Sequence, residues 1–404
     1  MSQAPEAAWL LLGMVSLING TLELGPDEPV ILVQIAPVEA CWPSNTIVLD
    51  WASLGQVELL ACSTSRGLLA SASGFGDRLF FEMLPGPVID DLLAAAGRPT
   101  ASSLVPIAYL SGRRQPGTDV WLLHAYGQIR FLDRDACFIR LTDQAIETAD
   151  VASLSFLPAV LALHAGNALF LNNHQCYYRK LFGGDELEHK YTFDGAIDIW
   201  RLTLRLYRRL RSGDLPGFLM EYHDEFQAWD YVNHLFEIPA PPAEQGYVSF
   251  IPTTDGRHTI KRKWYRQDAF RRREEMSKGV TIKTSFAEYV ADVLRLEAVP
   301  LPPFRRVRYD VNFESVRTGH VYGIFFDQSS ILTEPDRRLY QCELEYLRTR
   351  AVVPVTEGDV LEEIEQIAGW LEGFLDEEGL PTRRGVYSKL SFLQDVVASR
   401  DGGG

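Results

Sequence analysis

Lys180-Leu-Phe-Gly-Gly-Asp-Glu-Leu-Glu-His-Lys190 is the stretch on which the fold turns. As a β-strand it points successive side chains to opposite faces, so Glu186, Glu188 and Lys190 line up on one side. That face is too charged for a core. A second acidic pair with the same spacing, Glu343 and Glu345, lies in Leu339-Tyr-Gln-Cys-Glu-Leu-Glu-Tyr346, and basic strands fill the interval between the two pairs. Lys261 and Lys263 alternate with Ile260, Arg262 and Trp264, while Arg306 and Arg308 alternate with Val307 and Tyr309. Each segment therefore offers an apolar side to packing helices and a charged side to water or a hydrated lumen.

The 404 residues are long for one core and fit two or three domains. A net charge of −15 argues against non-specific nucleic-acid binding by the surface as a whole. Between Arg257 and Arg273, however, Arg257, Lys261, Arg262, Lys263, Arg266, Arg271, Arg272 and Arg273 face a single acid, Asp268. An acidic protein with so concentrated a basic stretch suggests an enclosed anion site. Five scattered cysteines without a Cys-x-x-Cys pair read as reduced. The apolar run Ala7 to Ile18 is too short to span a bilayer and has no basic residue before it, so it reads as a packed first helix. No segment qualifies as a membrane anchor, and the expected location is cytoplasmic.

Residues 1–175 are strand-rich, with runs at Pro29–Ile35, Thr46–Asp50, Gln56–Leu60 and Asp119–Tyr126 and helices expected at Val88–Ala96 and Ala152–Ala168. This half reads as a mixed α+β domain of unassigned role, open to a protein partner. Its histidines lack zinc spacing, and Ser71-Ala-Ser-Gly-Phe-Gly76 reads as a surface loop. Residues 176–355 alternate strands with an amphipathic helix at Ile197–Arg211 and a helical segment at Thr284–Leu296. Asp224 and Glu225 beside His223 read as a solvated edge, and His320 as a satisfied surface histidine. Residues 356–400 read as helices packed on the preceding sheet. The fold class is thus α+β, with an antiparallel β domain in the second half.

Acids paired at i, i+2 on two strands and bases paired likewise on two others can cooperate if a barrel gathers them. Hard carboxylate oxygens hold Mg²⁺ or Mn²⁺, and lysines and arginines hold phosphate oxygens. The order of these motifs resembles the CYTH, or triphosphate tunnel metalloenzyme, superfamily over about 170 residues. The Glu186-x-Glu188-x-Lys190 signature carries the resemblance, followed by Thr259-Ile-Lys-Arg-Lys263, Arg272-Arg-Glu-Glu275, Val307-Arg-Tyr309, Asp327 and Glu343-Leu-Glu345. It implies an eight-stranded antiparallel tunnel, dependence on a divalent metal, and a substrate bearing a linear triphosphate such as tripolyphosphate, ATP or another nucleoside triphosphate. Under it Glu186, Glu188, Glu343 and Glu345 would serve the metal, with Glu186, Glu188 and Asp327 in the catalytic set. Lys190, Lys261, Lys263, Arg306 and Arg308 would grip phosphates. The implied activity is a metal-dependent triphosphatase, with a class IV-type nucleotidyl cyclase or a non-catalytic sensor of a phosphorylated ligand as alternatives. One departure stands out: where the superfamily has Arg-x-Arg, this chain has Tyr247-Val-Ser-Phe-Ile-Pro252, leaving Arg257 or Arg271 as candidate substitutes.

Overall fold

A computed structural model describes residues 4–14, 30–38, 42–50, 58–64, 67–70, 104–131, 135–172, 178–221, 226–265, 267–380, 382 and 384–401. The expected helix at 88–96, the glycine-rich stretch at 71–76 and the Asp224–Glu225 pair lie outside them. The chain divides into two compact units, the first formed mainly by residues up to Arg179 and the second mainly by those from Lys180 onward.

The first unit is a nine-stranded sheet. Its strands are β1 (Ala7–Met14), β2 (Val30–Ile35), β3 (Thr46–Asp50), β4 (Glu58–Thr64), β5 (Gly67–Ala70), β6 (Leu104–Arg114), β7 (Trp121–Phe131), β8 (Asp135–Arg140) and β9 (Ile146–Thr148). They run in the order β3-β8-β7-β6-β1-β2-β4-β5, with β9 on β7. Helices α1 (Leu157–Gly166) and α2 (Ala168–Asn172) follow, and Leu157 and Val160 of α1 pack with Trp9, Leu11 and Leu32. The mixed α+β expectation therefore stands, but the first helix does not. Ala7–Met14 is a strand paired on both sides, by β2 and by β6. Residues 7 through 12 are all buried, so both faces need apolar side chains, and an unbroken apolar run of that kind has no period to separate strand from helix.

Eight antiparallel strands make the tunnel of the second unit. They are β10 (Asp185–Phe193), β11 (Phe226–Ile238), β12 (Gly246–Pro252), β13 (His258–Trp264), β14 (Arg271–Val280), β15 (Phe304–Ser315), β16 (His320–Ile331) and β17 (Arg338–Arg350). The ring runs β10-β14-β13-β12-β11-β15-β16-β17 and closes where β17 pairs with β10, with Glu188 opposite Glu345 and Lys190 opposite Glu343. Closure removes the unpaired edges that an open sheet exposes. Gly246 lets β12 join β13. Its φ of 144° suits only glycine, and a Cβ there would sit 2.0 Å from the Lys263 carbonyl oxygen.

Helices cover the outer face of this ring. Helix α3 (Ile199–Arg211) and α4 (Glu357–Glu377) bury Leu202, Leu206, Ile364, Ile367 and Leu371 against Tyr191, Phe326, Leu344 and Tyr346. The segment expected to be a helix at Thr284–Leu296 is one α-turn, Phe286–Glu288, continued by a π-helical turn, Tyr289–Val293, beside Phe250 and Ile260. Helix α5 (Lys389–Asp401) sets Leu390, Leu393 and Val396 on Leu235, Phe304 and Ile331, at one end of the tunnel strands. His320 is buried with its ring against Tyr346, not at the surface. Among the described residues no helix is long and apolar enough to cross a membrane.

Candidate active site

Period-two alternation decides what enters the lumen. On β10 the apolar positions Leu187 and Tyr191 join the outer core, which turns Glu186, Glu188 and Lys190 inward. The same parity brings in Lys261 and Lys263 from β13, Arg306 and Arg308 from β15, Asp327 from β16, and Glu343 and Glu345 from β17. All ten residues singled out in the sequence thus meet in one lumen. Their side chains converge on a cavity of about 50 Å³ and are tied to one another in two clusters.

In the first cluster Glu186 binds Lys263 and lies 3.2 Å from Arg272 and 3.7 Å from Lys261. Glu188 accepts from Lys190 at 2.5 Å and from Arg272, while Glu274 sits 2.8 Å from Lys261 and 3.3 Å from Lys263. In the second, Asp327 receives both Arg306 (3.1 and 2.5 Å) and Arg308 (2.7 and 2.8 Å), each through two nitrogens. Lys389 of α5 adds a bond to Asp327 at 2.9 Å. Glu343 is enclosed by Arg306 at 3.0 Å, Arg308, Lys389 and, at 3.6 Å, Lys190. Charge-assisted and forked bonds of this kind are the strong class, and here the carboxylates are buried and the Arg306 and Arg308 side chains 12% and 14% exposed.

The electrostatics follow from that crowding. Burial alone would raise the Glu186 and Glu343 carboxyls, yet the cations around each hold them well below the usual range. Asp327 is depressed in the same way by Arg306, Arg308 and Lys389. Lys190 moves the other way: burial brings its ammonium down to about 8 against the pull of Glu188 and Glu343. Glu345 is the exception among the acids. Burial, then the neighbouring Glu186, Glu188 and Glu274 carboxylates, push it up to about 8, with Lys261 opposing. Because its folded value lies above the ordinary one, its contribution to stability is full below about pH 4.5 and is lost as the pH climbs toward 8. Glu345→Gln should therefore gain stability relative to the parent between pH 5 and pH 8. Urea unfolding at both values checks this, and a pH-independent gap between the two proteins would reject it.

Three lumen side chains received no role from the sequence, although Arg272 and Glu274 fall in the Arg272-Arg-Glu-Glu275 match. Arg272 and Glu274 share the inner face of β14, but Arg271-Arg-Arg-Glu-Glu275 is charged on both faces, which hides the alternation. Lys389 is a lone lysine at the start of a helix, and no pattern marks it. Strand β12 turns Tyr247, Ser249 and Ile251 inward, so it brings no arginine to the lumen. Neither expected substitute fills that wall: Arg257 is exposed on Asp255, and Arg271 is exposed at 2.6 Å from Asp185. Arg272 supplies the extra guanidinium.

No family model matches the chain, and no curated protein matches it. Solved structures do. HpAC1 from Hippeastrum, an adenylyl cyclase candidate with a dominant triphosphatase activity, aligns at 16% identity over 52% of this chain and 95% of its own, with a TM-score of 0.32. The S. pombe RNA triphosphatase Pct1 in complex with the Spt5 CTD aligns at 12% identity over 50% and 87%, with a TM-score of 0.23. The di-domain ARO/CYC StfQ of the steffimycin biosynthetic pathway gives 12% identity, 73% and 75% coverage and a TM-score of 0.15. The chemistry of the tunnel is read from its own side chains.

As a cation site the donors are of one kind. Among the described residues, no group of three or more acid, histidine or cysteine side chains is arranged to hold a metal ion while the acids stay paired with lysine and arginine. The donor chemistry nonetheless fits a hard divalent ion. Glu188 and Glu345 are directly opposite, Glu186 is two residues along the same face, and burial together with the neighbouring carboxylates opposes ionisation of Glu345, a cost that a bound dication would relieve.

Proposed function

We propose that the tunnel is the active site of a divalent-metal-dependent phosphohydrolase acting on inorganic triphosphate or a nucleoside triphosphate. The observation that carries this is the convergence of Lys190, Lys261, Lys263, Arg272, Arg306, Arg308 and Lys389 inside one closed ring, interleaved with carboxylates. Such a lumen suits a compact polyanion. A lone carboxylate or monophosphate has too few oxygens to draw most of these cations off their internal acids.

In this reading an entering triphosphate exchanges partners with the internal acids. Arg306 and Arg308 exchange Glu343 for phosphate oxygens, while Asp327 keeps its hold on both guanidiniums and fixes their orientation. Asp327 is then a positioning residue, since its depressed carboxyl is a poor proton acceptor. Lys261, Lys263 and Arg272 release Glu186, Glu188 and Glu274 as they take up phosphate. Glu186, Glu188 and Glu345 would hold Mg²⁺ or Mn²⁺, with Glu343 beside them; when bound, the ion supplies Lewis-acid neutralisation of phosphoryl charge. Catalysis then comes from position and electrostatics, with water as nucleophile and no covalent intermediate on the protein.

Product analysis with tripolyphosphate and ATP, in Mg²⁺ or Mn²⁺ and in chelator, tests the proposal. Orthophosphate release that requires metal and disappears in Glu186→Gln/Glu188→Gln is the expected result. Cyclic nucleotide with pyrophosphate would replace hydrolase by cyclase. The arginine-free wall at Tyr247, Ser249 and Ile251 favours a second reading, a non-catalytic sensor. Metal-dependent binding without turnover of either compound would select it.

A further inference from the structure

The end of the tunnel opposite α5 carries a group of side chains that the phosphate chemistry does not use. Trp229 of β11 lies directly opposite Arg308 of β15, and Tyr231 opposite Arg306, so each clamp arginine has an aromatic neighbour on the same face. Phe325 adds a third, with the Arg308 guanidinium 4.2 Å above its ring. Trp229 is 50% exposed, so its indole face is open to a ligand at this mouth. Its indole Nε1 donates to Asp310 Oδ1 at 3.1 Å, which fixes the ring plane. Asp310 itself is only 2% exposed and sits on the same strand as Arg308.

We infer that this mouth is a base-binding subsite, in which Trp229 stacks on an aromatic base and Asp310 Oδ2 accepts from the base's exocyclic amine. The inference rests on the triphosphate reading of the tunnel and narrows it to an amine-bearing nucleoside triphosphate. Spacing supports it. Asp310 lies two residues from Arg308 on one strand, about 7 Å, a separation that a ribose spans between base and phosphates. The polarity is selective as well, because a carboxylate attracts an amine and repels a carbonyl at the same ring position. ATP and ITP differ at that position and in the proton that only ITP carries on the adjacent ring nitrogen, and share the rest of their shape.

Kinetics on the full-length protein with ATP, ITP and tripolyphosphate test this. ATP is expected to show a KM about tenfold or more below that of ITP. Trp229→Ala should raise the KM for ATP about tenfold, with a much smaller change for tripolyphosphate. Asp310→Asn, which keeps an oxygen for the indole but can offer an amide N–H, should narrow or reverse the preference for ATP over ITP. Equal KM values for ATP and ITP, or a Trp229→Ala loss that is the same for all three compounds, would overturn the inference. If none of the three is turned over, the hydrolase reading fails, and binding decides the subsite separately. Quenching of the fluorescence that Trp229→Phe abolishes, by ATP but not by equimolar ITP, supports it; no quenching by ATP refutes it.

Discussion

Asp327→Asn is expected to cost the tunnel unit about 3–5 kcal/mol of stability, the range seen when one member of a buried ion network is removed. The carboxylate is 1% exposed and takes five hydrogen bonds from Arg306, Arg308 and Lys389. Asparagine keeps the shape but removes the charge, leaving Glu343 as the nearby counter-ion for all three cations. Linkage gives the pH window. The folded carboxyl lies below its ordinary value, so its contribution is full above about pH 4 and fades as the pH falls further. The parent and the variant should therefore differ most at neutral pH and converge in acid. Urea unfolding at pH 7 and pH 3 measures both, and added tripolyphosphate should restore more stability to the variant than to the parent, because an external anion takes over the vacated charge. A loss below about 1 kcal/mol at pH 7 would mean that water screens these cations and that the internal acids do not hold them.

That network explains which parts of the molecule were legible in the sequence. Glu186, Glu188, Glu343 and Glu345 stand out because a closed barrel needs one apolar face per strand, so polar residues on its strands collect at even spacing. Arg306 and Arg308 are visible for the same reason. Ala7–Met14 fails the same test from the opposite side: a strand buried on both faces has no alternation to read. Lys389 is hidden by topology. It reaches the site from a helix 46 residues beyond Glu343, and only the docking of Leu390, Leu393 and Val396 on the tunnel end brings its ammonium to Asp327. Arg272 shows a third kind of concealment, because arginines on both faces of β14 form unrelated pairs: Arg271 with Asp185 outside, Arg272 with Glu186 and Glu188 within. Sequence alternation identifies faces, and long-range docking decides which isolated charges join them.

Arg308→Ala is expected to lower kcat/KM for tripolyphosphate by about 10³-fold, at the lower end of what a guanidinium on a transferred phosphoryl group contributes. Its guanidinium is held from three directions, by both oxygens of Asp327, by Glu343 and by the Phe325 ring, so it meets the substrate already oriented. Removing it leaves Arg306 and Lys389 on the same acids, and the fold should survive better than in Asp327→Asn. Arg308→Lys separates charge from geometry. Lysine restores the positive charge but not the two-nitrogen fork, so recovery of only part of the rate points to oriented bonding, whereas full recovery points to charge alone. Arg305→Ala is the control, because Arg305 is exposed and paired with Asp230 outside the lumen. Steady-state kinetics on the three variants, with unfolding curves to confirm folding, decide the matter. A loss under tenfold for Arg308→Ala, or an equal loss for Arg305→Ala, would remove the β15 arginines from the reaction and leave them as partners of Asp327 alone.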